Sequence, residues 1–340
     1  MKKLLNTLYI QTQGMYLRRE GETVVAEKEH NVLARIPIHT LSGIVCFGNV
    51  LCSPFLLELC GEHGVHVSFL SEHGRFIARV EGPMSGNVLL RVAQMKAACN
   101  EERSRKLAIG FVAGKILNAR TVLMRRLRDH GDNPDCSQSA QRMQALIHDV
   151  RWATNIDIIR GVEGEAAGYY FGAFNSLLVA QKDGFAFNGR NRRPPLDPMN
   201  ALLSFLYTLL AHDCTGGLES VGLDPQVGFL HALRPGRPSL ALDLMEEFRA
   251  PLADRTALSL INLQQLSPKQ FKKTESGAVE MTEDAIKTVI LAWQKKKQEL
   301  IHHPFLDEKV EIGLLPYVQA LLLARHLRGD LDAYPPFILK

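Results

Sequence analysis

The spacing of apolar residues changes once along this 340-residue chain, near residue 84, and that change limits the fold more than any other feature. Before it, short runs rich in β-branched and aromatic residues alternate with turn signals: LLNTLYIQ, GMYLRR, ETVVAEK, VLARIPI and LSGIVCFG. A period of two turns every second side chain to one face, which predicts strands. Ser53 followed by Pro54 predicts a helix start, with serine as the cap and proline in the first turn. The short helix FLLELCGEHG then leads to two further strands, VHVSFLS and GRFIARVEG, and EGPMSGN reads as a linker.

Beyond the linker, apolar residues recur at helical spacing almost to the end. A long helical stretch covers residues 88–130, with a break expected around Asn100. A polar turn is expected at 132–139, then helices over 143–152, 164–180, 198–212, 240–249, 282–302 and 314–327. The chain is also too long for one core, which seldom grows past about 250–300 residues. The expected fold class is α+β multidomain: a small β-rich N-terminal domain, residues 1–84, and a larger all-α C-terminal domain, residues 85–340.

Composition removes several function classes. Hydrophobic residues make up 46% of the chain, too many for a disordered protein. No uninterrupted apolar run approaches the ~18–20 residues that span a bilayer, so no membrane partner is expected. MKKLLNTLYIQTQG reads as a first strand rather than a secretion signal. The six cysteines are scattered with no CxxC pair, which favours free thiols in a reducing cytoplasm over disulfides or structural zinc. Net charge is only +4, but residues 91–128 carry lysines and arginines against Glu101 and Glu102 alone. Such a basic segment is either a solvated helix face or the footprint of a polyanion.

Three stretches carry candidate chemistry. In RGVEGEAAGYYFGAF, residues 160–174, Glu163 is expected at the mouth of a helix, ahead of small residues that permit close approach of another backbone; Glu165 is its rival. A carboxylate there also has a plain explanation in the helix dipole. In GLDPQVGFLHALRPGRPSLALDLMEEFRAPLADR, residues 222–255, His231 ends an apolar run and a helix follows. On it, Asp243 can share a face with Glu246 at i,i+3 or with Glu247 at i,i+4, and Arg249 can pair with one of them. In NGRNRRPPLDPMNALLSFLYTLL, residues 188–210, Arg190, Arg192 and Arg193 precede two prolines, a rigid setting for bidentate phosphate contacts. One histidine with several carboxylates and no cysteine suits a hard divalent ion, Mg²⁺ or Mn²⁺. Among arginines, such an ion fits phosphodiester chemistry.

Together GVEGEAAGYYF, RRPPLDPMNALLSFLYTLL and the stretch from His231 to Arg249 resemble the CRISPR-associated adaptation endonuclease and integrase family, that of the first-numbered Cas protein. KILNARTVLMRR, the β-rich start and the RHLRGDLDAYPPF ending fit as well, so the resemblance covers essentially the whole chain. It implies Glu163, His231 and Glu246 as metal ligands, Asp243 as a further active-site acid, and Glu165 and Glu247 outside the metal positions. It also implies a homodimer paired through the β domains, assembly with the small second Cas protein, and double-stranded DNA as substrate. The DNA is inserted as a new spacer when a 3′ hydroxyl attacks a phosphodiester at the repeat boundary. Arg190, Arg192, Arg193 and Arg249 are the candidate DNA contacts. Two other readings stand beside it: a tyrosine recombinase using Tyr169, Tyr170 or Tyr207, which read as core aromatics, and a helical DNA-binding scaffold without catalysis.

Overall fold

A computed structural model describes residues 7–41, 43–72, 76–80, 82, 88–191 and 194–339. The chain divides into two compact units, Met1–Gly86 and Asn87–Lys340. The expected linker, apart from Gly82, and the charged pair Arg192 and Arg193 lie outside the described residues.

The first unit holds β1 (Thr7–Ile10), β2 (Met15–Glu20), β3 (Thr23–Lys28), β4 (Asn31–Pro37), β5 (Gly43–Phe47), β6 (Val50–Cys52), α1 (Pro54–Glu62), β7 (His66–Leu70) and β8 (Phe76–Val80). Two four-stranded sheets result, β1-β5-β7-β8 and β4-β3-β2-β6. In the first, β1, β5 and β7 run parallel and β8 returns antiparallel; in the second, a β2–β3–β4 meander is extended by β6 parallel to β2. Leu17, Val24, Ile44, Leu56, Leu59 and Val67 belong to one buried cluster. The Ser53 side chain accepts from the Leu56 N–H, so α1 starts where the Ser-Pro signal places it. β6 went unread because three residues are too few to display a period.

The second unit is built on α2 (Val88–Ala98), α3 (Glu101–His130), α4 (Pro134–Arg151), α5 (Ile156–Gly172), α6 (Pro198–Ser220), α7 (Ser239–Met245), α8 (Arg255–Asn262), α9 (Glu283–Gln298) and α10 (Leu315–Arg328). Asn100 caps α3 through the Arg103 N–H, the break expected there. α3 packs on α4 and α5. It contains the one window, among the described residues, long and apolar enough to cross a membrane, and 56% of that window is buried inside the protein.

Several expectations are corrected. The larger unit is mostly but not wholly helical: β9 (Phe271–Lys273) pairs with β10 (Val279–Met281), and β11 (Leu300–His303) with β12 (Glu308–Glu311). Residues 132–139 are not one turn, because Asn133 caps α4 and Pro134 occupies its first turn. The helix expected over 164–180 begins earlier, at Ile156, capped by Asn155. The helix expected over 240–249 loses its regular form after Met245; a wide π-type turn, Arg249–Asp254, follows and contains Pro251, which has no N–H to give.

Candidate active site

α5 presents Glu163 two turns inside the helix rather than at its mouth, so the helix-dipole explanation of that carboxylate falls away. Its N-cap Asn155 and first-turn Asp157 were start signals already present in the sequence. Gly164 and Gly168 face open space, so they mediate no close backbone approach. Glu165 is exposed and accepts from the Tyr169 hydroxyl at 3.1 Å, on the outer side of the helix.

The loop between α6 and α7 is wrapped on a buried carboxylate. Asp243, on α7, accepts backbone N–H groups from Phe229 at 2.6 Å, Leu230 at 3.0 Å and His231 at 2.9 Å. His231 Nδ1 lies 2.6 Å from Asp243 Oδ1. A Cβ at Gly228 would stand 2.8 Å from Asp243 Oδ2 and from Ser239, so the loop needs glycine there to close on the carboxylate. From the other side, Arg160 of α5 donates to the Leu230 carbonyl at 2.9 and 2.7 Å. With Nδ1 engaged, His231 turns Nε2 toward Glu246, 3.8 Å from Oε1.

Glu246 follows the last turn of α7 and its side chain is 1% exposed. Arg249 Nη1 is 3.0 Å from its Oε1, and Lys115 Nζ of α3 is 2.7 Å from its Oε2. The Lys115 contact is a charge pair, since Oε2 receives no aligned hydrogen bond. Lys115 also pairs with Glu163, so one ammonium joins two carboxylates drawn from α5 and from the end of α7. Burial opposes ionisation of Glu246, but Arg249, Lys115 and His231 outweigh it and hold the carboxyl down to about 2.

Glu247 turns elsewhere. Its carboxyl accepts from the Tyr334 hydroxyl at 2.6 Å, the Gln319 amide at 3.0 Å and the Phe337 N–H at 2.7 Å. Burial nevertheless pushes it up to about 8. Asn118 of α3 bridges the Glu247 and Phe337 carbonyls and accepts from the Leu339 N–H. All three acids of this segment are buried, so none forms the solvated edge that adjacent charges usually mark.

Arg249 and Arg190 lie over the Tyr207 ring, with guanidinium carbons 5.3 and 5.2 Å from its centroid. Arg190 also donates to Asn200 at 2.6 Å and Ser204 at 3.1 Å, so it is directed into the fold. Tyr207 and Tyr170 donate to the buried Asp254 at 2.7 and 3.0 Å. Burial raises both hydroxyls well above their ordinary value and lifts Asp254 to about 6. These two tyrosines are core groups, poor candidates for nucleophiles; Tyr169 is only half-buried, contrary to its reading as core.

The structure thus joins Glu163, His231, Asp243, Glu246 and Arg249, which the sequence singled out for the site, with Tyr207, which it read as a core aromatic, and with Lys115 and Arg160, which it did not single out. Lys115 was only one cation of the basic stretch. Others of that stretch serve the fold: Arg105 reaches the Ala153 carbonyl, Arg120 that of Ala140 and Arg126 that of Ser176.

Among the described residues no three acidic, histidine or cysteine groups stand preassembled around one point. The donors that do converge fit a hard divalent cation in chemistry: two carboxylates already gathered on one positive charge, a buried carboxylate oxygen lacking an aligned donor, and an imidazole nitrogen beside them.

A family model described as CRISPR associated protein Cas1 matches residues 8–295. A CRISPR-associated endonuclease Cas1 of Chlorobaculum tepidum is 54% identical over 341 residues, covering 99% of each chain. Two solved structures share the fold: a CAS1 protein from Thermotoga maritima, with TM-score 0.84 and 23% identity over 97% of this chain and 99% of that one, and a casposase bound to integration product. The casposase has TM-score 0.84 and 22% identity over 98% of this chain and 94% of its own. The chain belongs to the Cas1 family of CRISPR-associated proteins.

Proposed function

We propose that this chain is a divalent-metal-dependent DNA endonuclease and integrase that inserts short foreign DNA as new spacers into a CRISPR array. The observation that carries the reading is that Lys115 pairs with both Glu163 and Glu246, while His231 Nε2 and Arg249 approach the same Glu246 carboxylate. The 54%-identical relative named as an endonuclease supports it.

In this reading Glu163, Glu246 and His231 Nε2 would hold Mg²⁺ or Mn²⁺. The ion would supply Lewis-acid polarisation of a phosphoryl oxygen and activation of the attacking hydroxyl. The protein's part is preorganisation. Asp243 already accepts three backbone N–H groups, so it is a carboxylate acceptor and His231 Nδ1 must be its donor. That tautomer leaves the Nε2 lone pair free for a ligand role, and Asp243 acts as a positioning residue rather than a ligand. Arg249, fixed over Tyr207, keeps a guanidinium at the site where phosphate charge develops. Attack by a DNA 3′ hydroxyl gives strand transfer, and attack by water gives cleavage; neither needs a covalent enzyme intermediate. The partners are double-stranded DNA, a second copy of the chain and the small second Cas protein.

The test is cleavage of branched DNA and strand transfer into a repeat-containing plasmid, with Mg²⁺ or Mn²⁺ and with chelator. Activity should require the ion and vanish in Glu163→Gln. Full activity in chelator, or in the Glu163 variant, would refute the proposal.

A further inference from the structure

We infer that Lys115 is the resident counter-cation of this site: its ammonium holds Glu163 and Glu246 together in the metal-free protein, yields its place to the divalent ion, and is then available to a DNA phosphate. The inference rests on the metal reading above and concerns a residue with no role in it as ligand. Glu246 is almost wholly buried, and a buried carboxylate left without a cation is strongly destabilising. Two cations serve it, one on each oxygen, and they differ in kind. Arg249 is stacked on Tyr207 and its planar group is fixed. Lys115 is a compact charge on a flexible four-carbon stem that donates to Glu163 and pairs with Glu246 Oε2 at 2.7 Å. Of the two, Lys115 is the one that can leave.

Its position argues for exchange. Lys115 touches both Glu163 and Glu246, so it stands where an ion shared by those carboxylates would stand. An ammonium and a divalent ion cannot occupy the same point between the carboxylates, and like charges at contact distance repel. The side chain is 13% exposed, so it is not sealed in and its head can swing outward. The consequence is a site that stays folded and neutralised when empty, at the cost of weaker ion binding. A displaced ammonium then lies at the rim, where phosphate oxygens approach the ion.

Two measurements on the full-length protein test this. Mn²⁺ titration followed by electron paramagnetic resonance should show Lys115→Met binding about tenfold more tightly than wild type, because the ion no longer displaces a resident charge. Equal or weaker binding overturns the inference. The second measurement needs no variant. Acylation of wild type, read by mass spectrometry, should label Lys115 severalfold faster with Mn²⁺ than without, while the exposed Lys106 serves as reference and stays constant. Unchanged Lys115 labelling in protein that binds Mn²⁺ overturns the inference and leaves the metal reading standing. Wild type that takes up no Mn²⁺, or Glu163→Gln that takes it up equally well, overturns both.

Discussion

Asp243 holds His231 at two points, the backbone N–H at 2.9 Å and ring Nδ1 at 2.6 Å, so one carboxylate fixes both the place and the tautomer of the histidine. An amide cannot repeat this, since its NH₂ end would set N–H donors against the N–H groups of Phe229 and Leu230 or of His231. Asp243→Asn should therefore lower strand transfer about 10–100-fold, the usual cost of losing a partner that orients a metal-binding histidine. His231→Ala should abolish cleavage and integration while circular dichroism stays unchanged. An Asp243→Asn protein with wild-type rates in Mg²⁺ and in Mn²⁺ would show that the histidine needs no such anchor.

Buried acids with displaced pKa values make stability depend on pH. Glu247 is raised from 4.5 to about 8 and Asp254 from 3.8 to about 6, in both cases chiefly by burial. The folded protein therefore holds protons that the unfolded chain releases. The stability these groups add is fully present below the unfolded values and is lost as pH rises through about 6 and then about 8. Glu246, held down to about 2, acts oppositely: its contribution is present above 4.5 and lost as pH falls through 2. The thermal midpoint should fall from mildly acidic to mildly basic pH, and Glu247→Gln should flatten that fall. A wild-type midpoint that climbs across the same interval would contradict the assignment.

The change from strands to helices, the α1 start and the α3 break were legible because periodicity and capping are local. The helix of Glu163 was misplaced because GVEGEAAG, with its glycines, masks the continuity of the helix with the Asn155 cap. Asp243, Glu246 and Glu247 could be named from sequence but not given directions. Their orientations depend on groups far along the chain: Phe229 and His231 for Asp243, Lys115 for Glu246, and Tyr334 and Phe337 for Glu247. Lys115 carried no signal of its own, since a lysine in a basic helix looks like its neighbours until its partner helices are placed.

Asn118 ties the last residues of the chain beneath the segment that bears Glu246. It makes three buried hydrogen bonds, at 2.7, 2.8 and 2.7 Å, with Glu247, Phe337 and Leu339. Gly114, one turn earlier on α3, leaves room for Glu247 and Pro336, which a Cβ would approach to 3.2 Å. Asn118→Ala strands two carbonyls and an N–H and should cost roughly 3 kcal/mol in denaturant unfolding. A loss under about 0.5 kcal/mol, the range of ordinary surface changes, would show that the tail contributes little.

The arginine loop should separate into two behaviours. Arg190, bonded to Asn200 and Ser204 and seated over Tyr207, should when replaced by alanine lower the melting temperature. Replacing Arg192 and Arg193 together should weaken DNA binding. It should also flatten the salt dependence, by roughly 0.9 in log–log slope for each phosphate no longer neutralised. An unaltered slope would return the pair to an ordinary polar loop.

Glu246 and Glu247 are adjacent, and charge counting does not distinguish them. Neighbouring helical residues point about 100° apart, and here that turn sends Glu246 to Lys115, Arg249 and His231 and sends Glu247 to Tyr334, Gln319 and Phe337. Glu246→Gln replaces an ionised carboxylate with a neutral amide, a poor ligand for a hard cation, and leaves Lys115 and Arg249 facing no charge there. It should abolish metal-dependent strand transfer. Glu247 is raised to about 8, so at neutral pH it is already largely the neutral acid that glutamine imitates in size and shape. Glu247→Gln should keep most of the activity. Both variants are purified, matched by circular dichroism, and assayed for strand transfer into a repeat-containing plasmid at about pH 7, below the raised Glu247 value. If Glu247→Gln is inactive while Glu246→Gln integrates normally, Glu246 is not the carboxylate that serves the reaction.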